Sequence, residues 1–135
     1  MMSETEFKRY ISAFNTGDST KYRLYYSPSI AFRNGAGVEL EGPNAIISYY
    51  EALRGRIART MEVRCVIAGE MALCAALHSR FEILSPSEEF AGQTLSKGDR
   101  VLLDSMALYE LEDGRFARIN AKSISRQIIR AGEAQ

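Results

Sequence analysis

Two turn signals, Gly69-Glu70 and Asp113-Gly114, each divide a long run rich in alternating apolar and polar residues. That pattern leaves the second half of the chain little choice but long antiparallel hairpins. Residues 60–68 and 71–84 read as strands around the first turn, and residues 100–111 and 115–125 as strands around the second. Residues 85–98, with Pro86, read as a polar loop between the hairpins. The first half is helical in period. Ser3 and Glu6 form an S-x-x-E capping box ahead of Phe7, Tyr10, Ile11 and Phe14, and Asn15-Thr16-Gly17 ends that helix. Asp18 caps a short second helix carrying Tyr22, Tyr25 and Tyr26, which Pro28 stops. Residues 29–33 and 38–40 are short strands around Asn34-Gly35, and Gly42-Pro43 starts a third helix bearing Ile46, Tyr50, Leu53 and Ile57. Helix, helix, short hairpin, helix and then four long strands is not a βαβ alternation, so the order predicts an α+β fold rather than a parallel sheet.

The chain has 135 residues, which suits one domain over residues 1–135. Seventeen Lys and Arg balance seventeen Asp and Glu, and no basic stripe interleaves with aromatics. No nucleic-acid partner is therefore expected. No apolar run reaches transmembrane length and no charged-then-apolar leader opens the sequence, so a cytoplasmic protein without membrane contact is expected. Cys65 and Cys74 lack a CxxC pattern or histidine-rich company, which predicts free thiols and no metal site. The glycines of "NGAG" and "GPN" read as turn and helix-start residues rather than a P-loop or Rossmann fingerprint, so no nucleotide cofactor is expected.

Four strings in order, "AFNTGD", "YYSPSIAFRNG", "ELEGPNAIISYY" and "YELEDGRFARI", span most of the chain. Together they resemble the nuclear transport factor 2-like superfamily, which includes SnoaL-like polyketide cyclases, ketosteroid isomerases, scytalone dehydratase and limonene epoxide hydrolase. The resemblance implies a cystatin-like cone, a curved antiparallel sheet wrapped around N-terminal helices with a central pocket. It does not by itself name a reaction.

Hairpin register orients the strands, because a two-residue turn makes paired residue numbers sum to a constant. Around Gly69-Glu70 this opposes Cys65 to Cys74, Val63 to Ala76 and Met61 to His78; around Asp113-Gly114 it opposes Leu108 to Ile119, Met106 to Ala121 and Asp104 to Ser123. The predicted interior is thus lined by Met61, Val63, Cys65, Met106, Leu108 and Ile119. His78, Arg80, Glu82 and Asp104 point into it, and Ser123 bonds to Asp104. Tyr10, Phe14, Tyr26, Phe32 and Tyr50 complete the expected ligand-binding wall. The outer face, around Tyr109 and Phe116, becomes the candidate homodimer contact.

His78, the one histidine of the chain, is the natural group for proton transfer near neutral pH. Arg80-x-Glu82 is similar to the arginine-x-aspartate pair of limonene epoxide hydrolase, where the arginine bridges two carboxylates that activate water and donate a proton. The position corresponding to the water-activating aspartate is Ala121, and Asp104, a diagonal neighbour about 7–8 Å away, is the candidate substitute. Each group also has a plain reading: a hydrogen-bonded strand histidine, a same-face ion pair, core tyrosines. These observations predict a small-molecule pocket protein acting on a largely apolar substrate by cofactor-independent acid/base chemistry, as an isomerase, cyclase, dehydratase or epoxide hydrolase. The alternatives are a non-catalytic ligand-binding module and a structural dimerisation domain.

Overall fold

A computed structural model describes residues 1–90 and 92–132. Helix α1 (Glu4–Thr16) and the short α2 (Ser19–Tyr22) precede a 3-10 turn at Arg23–Tyr25, strands β1 (Tyr26–Arg33) and β2 (Glu39–Glu41), and helix α3 (Pro43–Leu53). Strands β3 (Ile57–Ala68), β4 (Ala72–Ile83), β5 (Ser87–Phe90), β6 (Gln93–Ser96), β7 (Arg100–Glu112) and β8 (Arg115–Ile129) follow. The expected loop at 85–98 is thus a small β5–β6 hairpin, apart from residue 91, which lies outside the described residues. Ile57 opens β3 instead of closing α3, and Pro28 sits inside β1, where the pairing with β8 is interrupted between Tyr26 and Ala31.

The main sheet runs β2-β1-β8-β7-β4-β3. It is mixed, because β1 lies parallel to β8; the wholly antiparallel sheet expected from the element order is corrected there. The chain reaches β1 through helices before any long strand exists, and β8 arrives last with the opposite sense already fixed by three antiparallel steps. Local chemistry sets the helix ends. Ser3 Oγ accepts the Glu6 N–H at 3.1 Å, and Gly17 closes α1 with φ of 73°, a left-handed conformation that suits glycine. Asn15 then clamps α1 to β3: its amide donates to the Met61 carbonyl and accepts from the Met61 N–H, both at 2.8 Å. Since β3 ends the sheet, this side chain covers two polar groups on an otherwise open edge.

Three extra residues decide which side chains face inward. The β3–β4 ladder skips Arg64, passing from Val63↔Leu77 to Cys65↔Ala76. The β7–β8 ladder skips Ala117, between Leu111↔Phe116 and Glu110↔Arg118, and again Ile124, between Ser105↔Ser123 and Asp104↔Ser125. Each is a β-bulge, and one inserted residue reverses the faces beyond it. The Asp113-Gly114 turn is where the sequence places it, with Glu112 opposite Arg115, but Leu108 pairs with Asn120 and Met106 with Lys122. In the first hairpin the last pair is Ala68↔Leu73, so the connection is longer than two residues and Cys74 opposes Ile67 instead of Cys65.

The concave face therefore carries Leu73, Ala75, Leu77 and Phe81 of β4 with Leu103, Ser105, Ala107 and Tyr109 of β7, all buried. Against it α1 packs Phe7 and Tyr10, whose rings meet Tyr109 and Phe116 edge-on at 4.9 Å. The Tyr10 and Tyr26 hydroxyls share a buried hydrogen bond of 2.9 Å, and burial raises both phenols above their ordinary range. Tyr26 is core, and Tyr109 and Phe116, the expected dimer contact, are 4% and 0% exposed. Replacing Asn15 by Ala strips both Met61 backbone groups of their partner, at about 1–3 kcal/mol for each group left unsatisfied. Thermal unfolding followed by circular dichroism should show a lower midpoint for Asn15→Ala, and an unchanged midpoint would contradict the clamp.

Candidate functional site

A cavity of about 870 Å³ opens between α1, α3, the starts of β3 and β7, the end of β8 and the β5–β6 hairpin. This lies within the range of roughly 300–1,000 Å³ common for ligand sites. Its apolar wall comes from Phe14, Tyr50, Leu53, Ile57, Phe81, Phe90 and Leu103, and its polar groups include Asn15, Asn34, Tyr49, Arg59, Ser123 and Ser125. A recess of about 40 Å³ continues toward the apex past Tyr10, Phe32, Met61, Ile119 and Tyr109. Tyr50, Phe14 and Arg59 belong to both.

Arg59 is the distinctive group. It stands opposite Phe81 in the β3–β4 ladder and shares the inward face with Ile57 and Met61. The guanidinium carbon lies 5.1 Å from the centre of the Phe81 ring and 5.8 Å from those of Phe14 and Tyr50. Its Nε is buried and makes no hydrogen bond. No carboxylate among the described residues pairs with it. A cation over one ring gains about 0.5–2 kcal/mol, whereas a buried donor left unpaired costs about 1–3 kcal/mol, and more when charged. The rings hold the guanidinium in place but do not replace a hydrogen-bonding partner.

Around it the phenols are proton donors. Burial raises the Tyr22 and Tyr49 hydroxyls above the ordinary 10.0, so both are neutral at physiological pH. The Asn34 side chain is spent on its own turn, where its oxygen accepts from the Ala36 and Val38 N–H groups at 3.0 Å, while its amide donates to the Tyr50 hydroxyl at 3.3 Å. Glu89 is the one carboxylate among the described lining residues, and it accepts a hydrogen bond from Thr94 at 2.6 Å. The described residues contain no cluster of side chains suited to a metal ion.

The residues expected to act as acid and base are gathered elsewhere. His78 and Asp104 are directly opposed on β4 and β7, with Nδ1 to Oδ1 at 2.7 Å, and Ser125 Oγ donates to the other Asp104 oxygen at 3.0 Å. The His78 hydrogen bond, then that of Ser125, holds the Asp104 carboxyl below its ordinary 3.8. His78 and Asp104 lie on the convex face together with Arg80, Glu82, Met106 and Leu108, while Ser125 is also among the residues that line the large cavity; Arg80 and Glu82 are exposed, as are Met106 at 39% and Leu108 at 42%. The bulges at Ala117 and Arg64 are the reason. They turn the predicted lining of β7 outward, and they separate Met61 and Val63, which face in, from Cys65, which is exposed. Val63 packs against the core, Cys65 and Cys74 are free thiols, and Ser123 donates to the Gly35 carbonyl at 2.9 Å instead of serving Asp104. Of the predicted wall, Phe14, Tyr50 and Ser123 line the large cavity, and Tyr10, Phe32, Met61 and Ile119 line its recess.

Sequence reasoning passed over Arg59. Alternation carried two residues back from Met61 places a lone arginine on the apolar face of its strand, and that was the available signal. Phe81 and Leu103 were hidden by the inverted register, and Phe90 by the unrecognised β5–β6 hairpin.

A family model described as a SnoaL-like domain matches residues 7–119. No curated protein matches the sequence. Among solved structures, the fold is similar to a putative polyketide cyclase from Pseudomonas putida, at 18% identity over 90% of this chain and 91% of that one, with a TM-score of 0.74. A putative polyketide cyclase from Xanthomonas campestris is also similar, at 18% identity, 86% and 85% coverage and a TM-score of 0.73. An epoxide hydrolase from Mycobacterium tuberculosis, of the kind related to limonene epoxide hydrolase, aligns at 14% identity over 87% and 79% of the two chains, with a TM-score of 0.69. At such identities these likenesses establish a shared fold, the cone that the resemblance implies, while the family match covers most of the sequence. The chain belongs to the SnoaL-like domain family.

Proposed function

We propose that this protein takes up a small, largely apolar molecule in the large cavity and carries out isomerase- or cyclase-type chemistry on it, without a metal or other cofactor. The observation that carries the reading is the cavity itself: about 870 Å³ walled by aromatic and aliphatic side chains, with a few polar groups converging on one guanidinium. The names of the structural relatives described above, two putative polyketide cyclases and an epoxide hydrolase, support the same class. The division of labour differs from an acid/base dyad. His78, Arg80, Glu82 and Asp104 stand outside the cavity, so inside it the protein works by folding the substrate against Phe14, Tyr50 and Phe81 and by donating hydrogen bonds from phenols and Arg59.

The pocket reading is tested by uptake of an apolar fluorescent dye, followed by a turnover screen of isomerisation, cyclisation, dehydration and epoxide hydrolysis. Wild type should bind the dye, Leu53→Trp should block it by filling the cavity, and His78→Ala and Asp104→Asn should bind as wild type does. No uptake by wild type, or loss of uptake in the His78 and Asp104 variants alone, would contradict the proposal. Retention of a ligand with no turnover in any assay would reduce the function to binding.

A second reading concerns assembly, and a specific observation favours it. Met106 and Leu108, 39% and 42% exposed, stand on the convex sheet beside the His78–Asp104 pair, apolar surface that a second copy would cover. We propose a homodimer through this convex face. Sedimentation should give twice the chain mass for wild type and a monomer for Leu108→Glu; a monomeric wild type at micromolar concentration would remove the proposal.

A further inference from the structure

Arg59 carries more than a generic hydrogen-bonding role. Its charge sits half-buried on the concave sheet where the large cavity meets its recess. Phe14, Tyr50 and Phe81 surround the guanidinium, and Nε is buried without a partner. The backbone beside it is fixed, because Asn15 bonds both the N–H and the carbonyl of Met61 at 2.8 Å. The group is therefore held by ring faces and a clamped strand, not by an ion pair. A guanidinium offers its donors in one plane, in a fork that matches a carboxylate with two parallel hydrogen bonds.

Positive groups outnumber negative ones around the cavity. Its described lining holds Arg54, Arg59 and Arg126 against the single carboxylate of Glu89. Arg54 is committed to the Thr16 carbonyl at 3.2 Å and Glu89 to the Thr94 hydroxyl at 2.6 Å. Neither satisfies Arg59. A neutral ligand would cover the guanidinium without supplying an acceptor of matching charge, deepening its desolvation; an anion would complete it. The remaining wall is apolar and aromatic, which suits the body of an organic acid better than a small inorganic ion.

We propose that the molecule received by this cavity is a carboxylic acid with an apolar or aromatic body, whose carboxylate is bound by Arg59. This rests on the pocket reading above and narrows it to a substrate class. The body lies against Phe81, Phe14 and Tyr50 and extends toward Leu53 and Phe90, while the carboxylate occupies the junction with the recess.

The test is calorimetric titration, at neutral pH, of a panel of aryl and alkyl carboxylates such as phenylbutyrate, each beside its own primary amide. Wild type should prefer the acid by roughly 10- to 100-fold, the worth of a charged hydrogen-bonded pair. Arg59→Gln should erase that preference while keeping the affinity for the amide, and Arg59→Lys should retain part of it. The comparison of acid with amide in wild type decides the matter even where Arg59→Gln fails to fold. Amides binding as tightly as acids in wild type, with the fluorescent dye still taken up, would overturn this inference and leave the pocket reading standing. Binding of neither series, together with no dye uptake, would overturn both.

Discussion

The site depends on bulges. Arg64 on β3 and Ala117 and Ile124 on β8 each stand outside the pairing ladder, and together they dictate which side of the sheet is concave and which residues line it. The bulge at Ala117 places Tyr109 and Ile119 under α1, and that at Arg64 lets Arg59, Met61 and Val63 follow Phe81, Ser79 and Leu77 inward. Local increases of twist at such points also bend long strands, the shape a cone requires. Without them the long hairpins would present Met106 and Leu108 to the helices and send Ala107 and Tyr109 to solvent.

Given those faces, the chain divides its chemistry by side. The concave wall gathers aromatic rings, neutral phenols and the Arg59 guanidinium, which pairs with no carboxylate among the described residues. The convex wall gathers the histidine, its aspartate and the exposed cross-strand ion pair Arg118–Glu110. Exposed pairs of this kind contribute little to stability, about 0–1 kcal/mol, so the polar chain from Ser125 through Asp104 to His78 has more bearing on what meets that face than on holding the fold together.

Much of this was legible in the sequence, and what was not has a definite cause. The serine cap at Ser3, the glycine stop at Gly17, the proline start of α3 and the Asp113-Gly114 turn all act within one turn of chain, and each appears where its chemistry demands, although the Glu6 carboxylate bonds to Tyr25 and Arg9 and so does not complete the expected capping box. The α+β class followed from element order, and the cone from the family resemblance of four strings spread along the chain. The interior did not, because period-2 alternation carries no mark of an extra residue: Ala117 and Ile124 are ordinary strand residues by composition, yet each reverses the inference for everything beyond it. The parallel pairing of β1 with β8 is a contact between distant parts of the chain, beyond the reach of hairpin arithmetic. Arg59 was within reach, since it stands two residues before Met61 on the same face, but reading the strand from residue 60 hid it.

The central claim is that function resides on the concave side, around Arg59, rather than at the convex histidine. Backbone chemical-shift mapping during titration of the protein with an aryl carboxylate tests it directly. The account predicts that perturbed amides cluster at Arg59, Phe81, Leu103 and Tyr50, with His78 and Asp104 unmoved. Shifts centred on His78 and Asp104, with Arg59 silent, would contradict it.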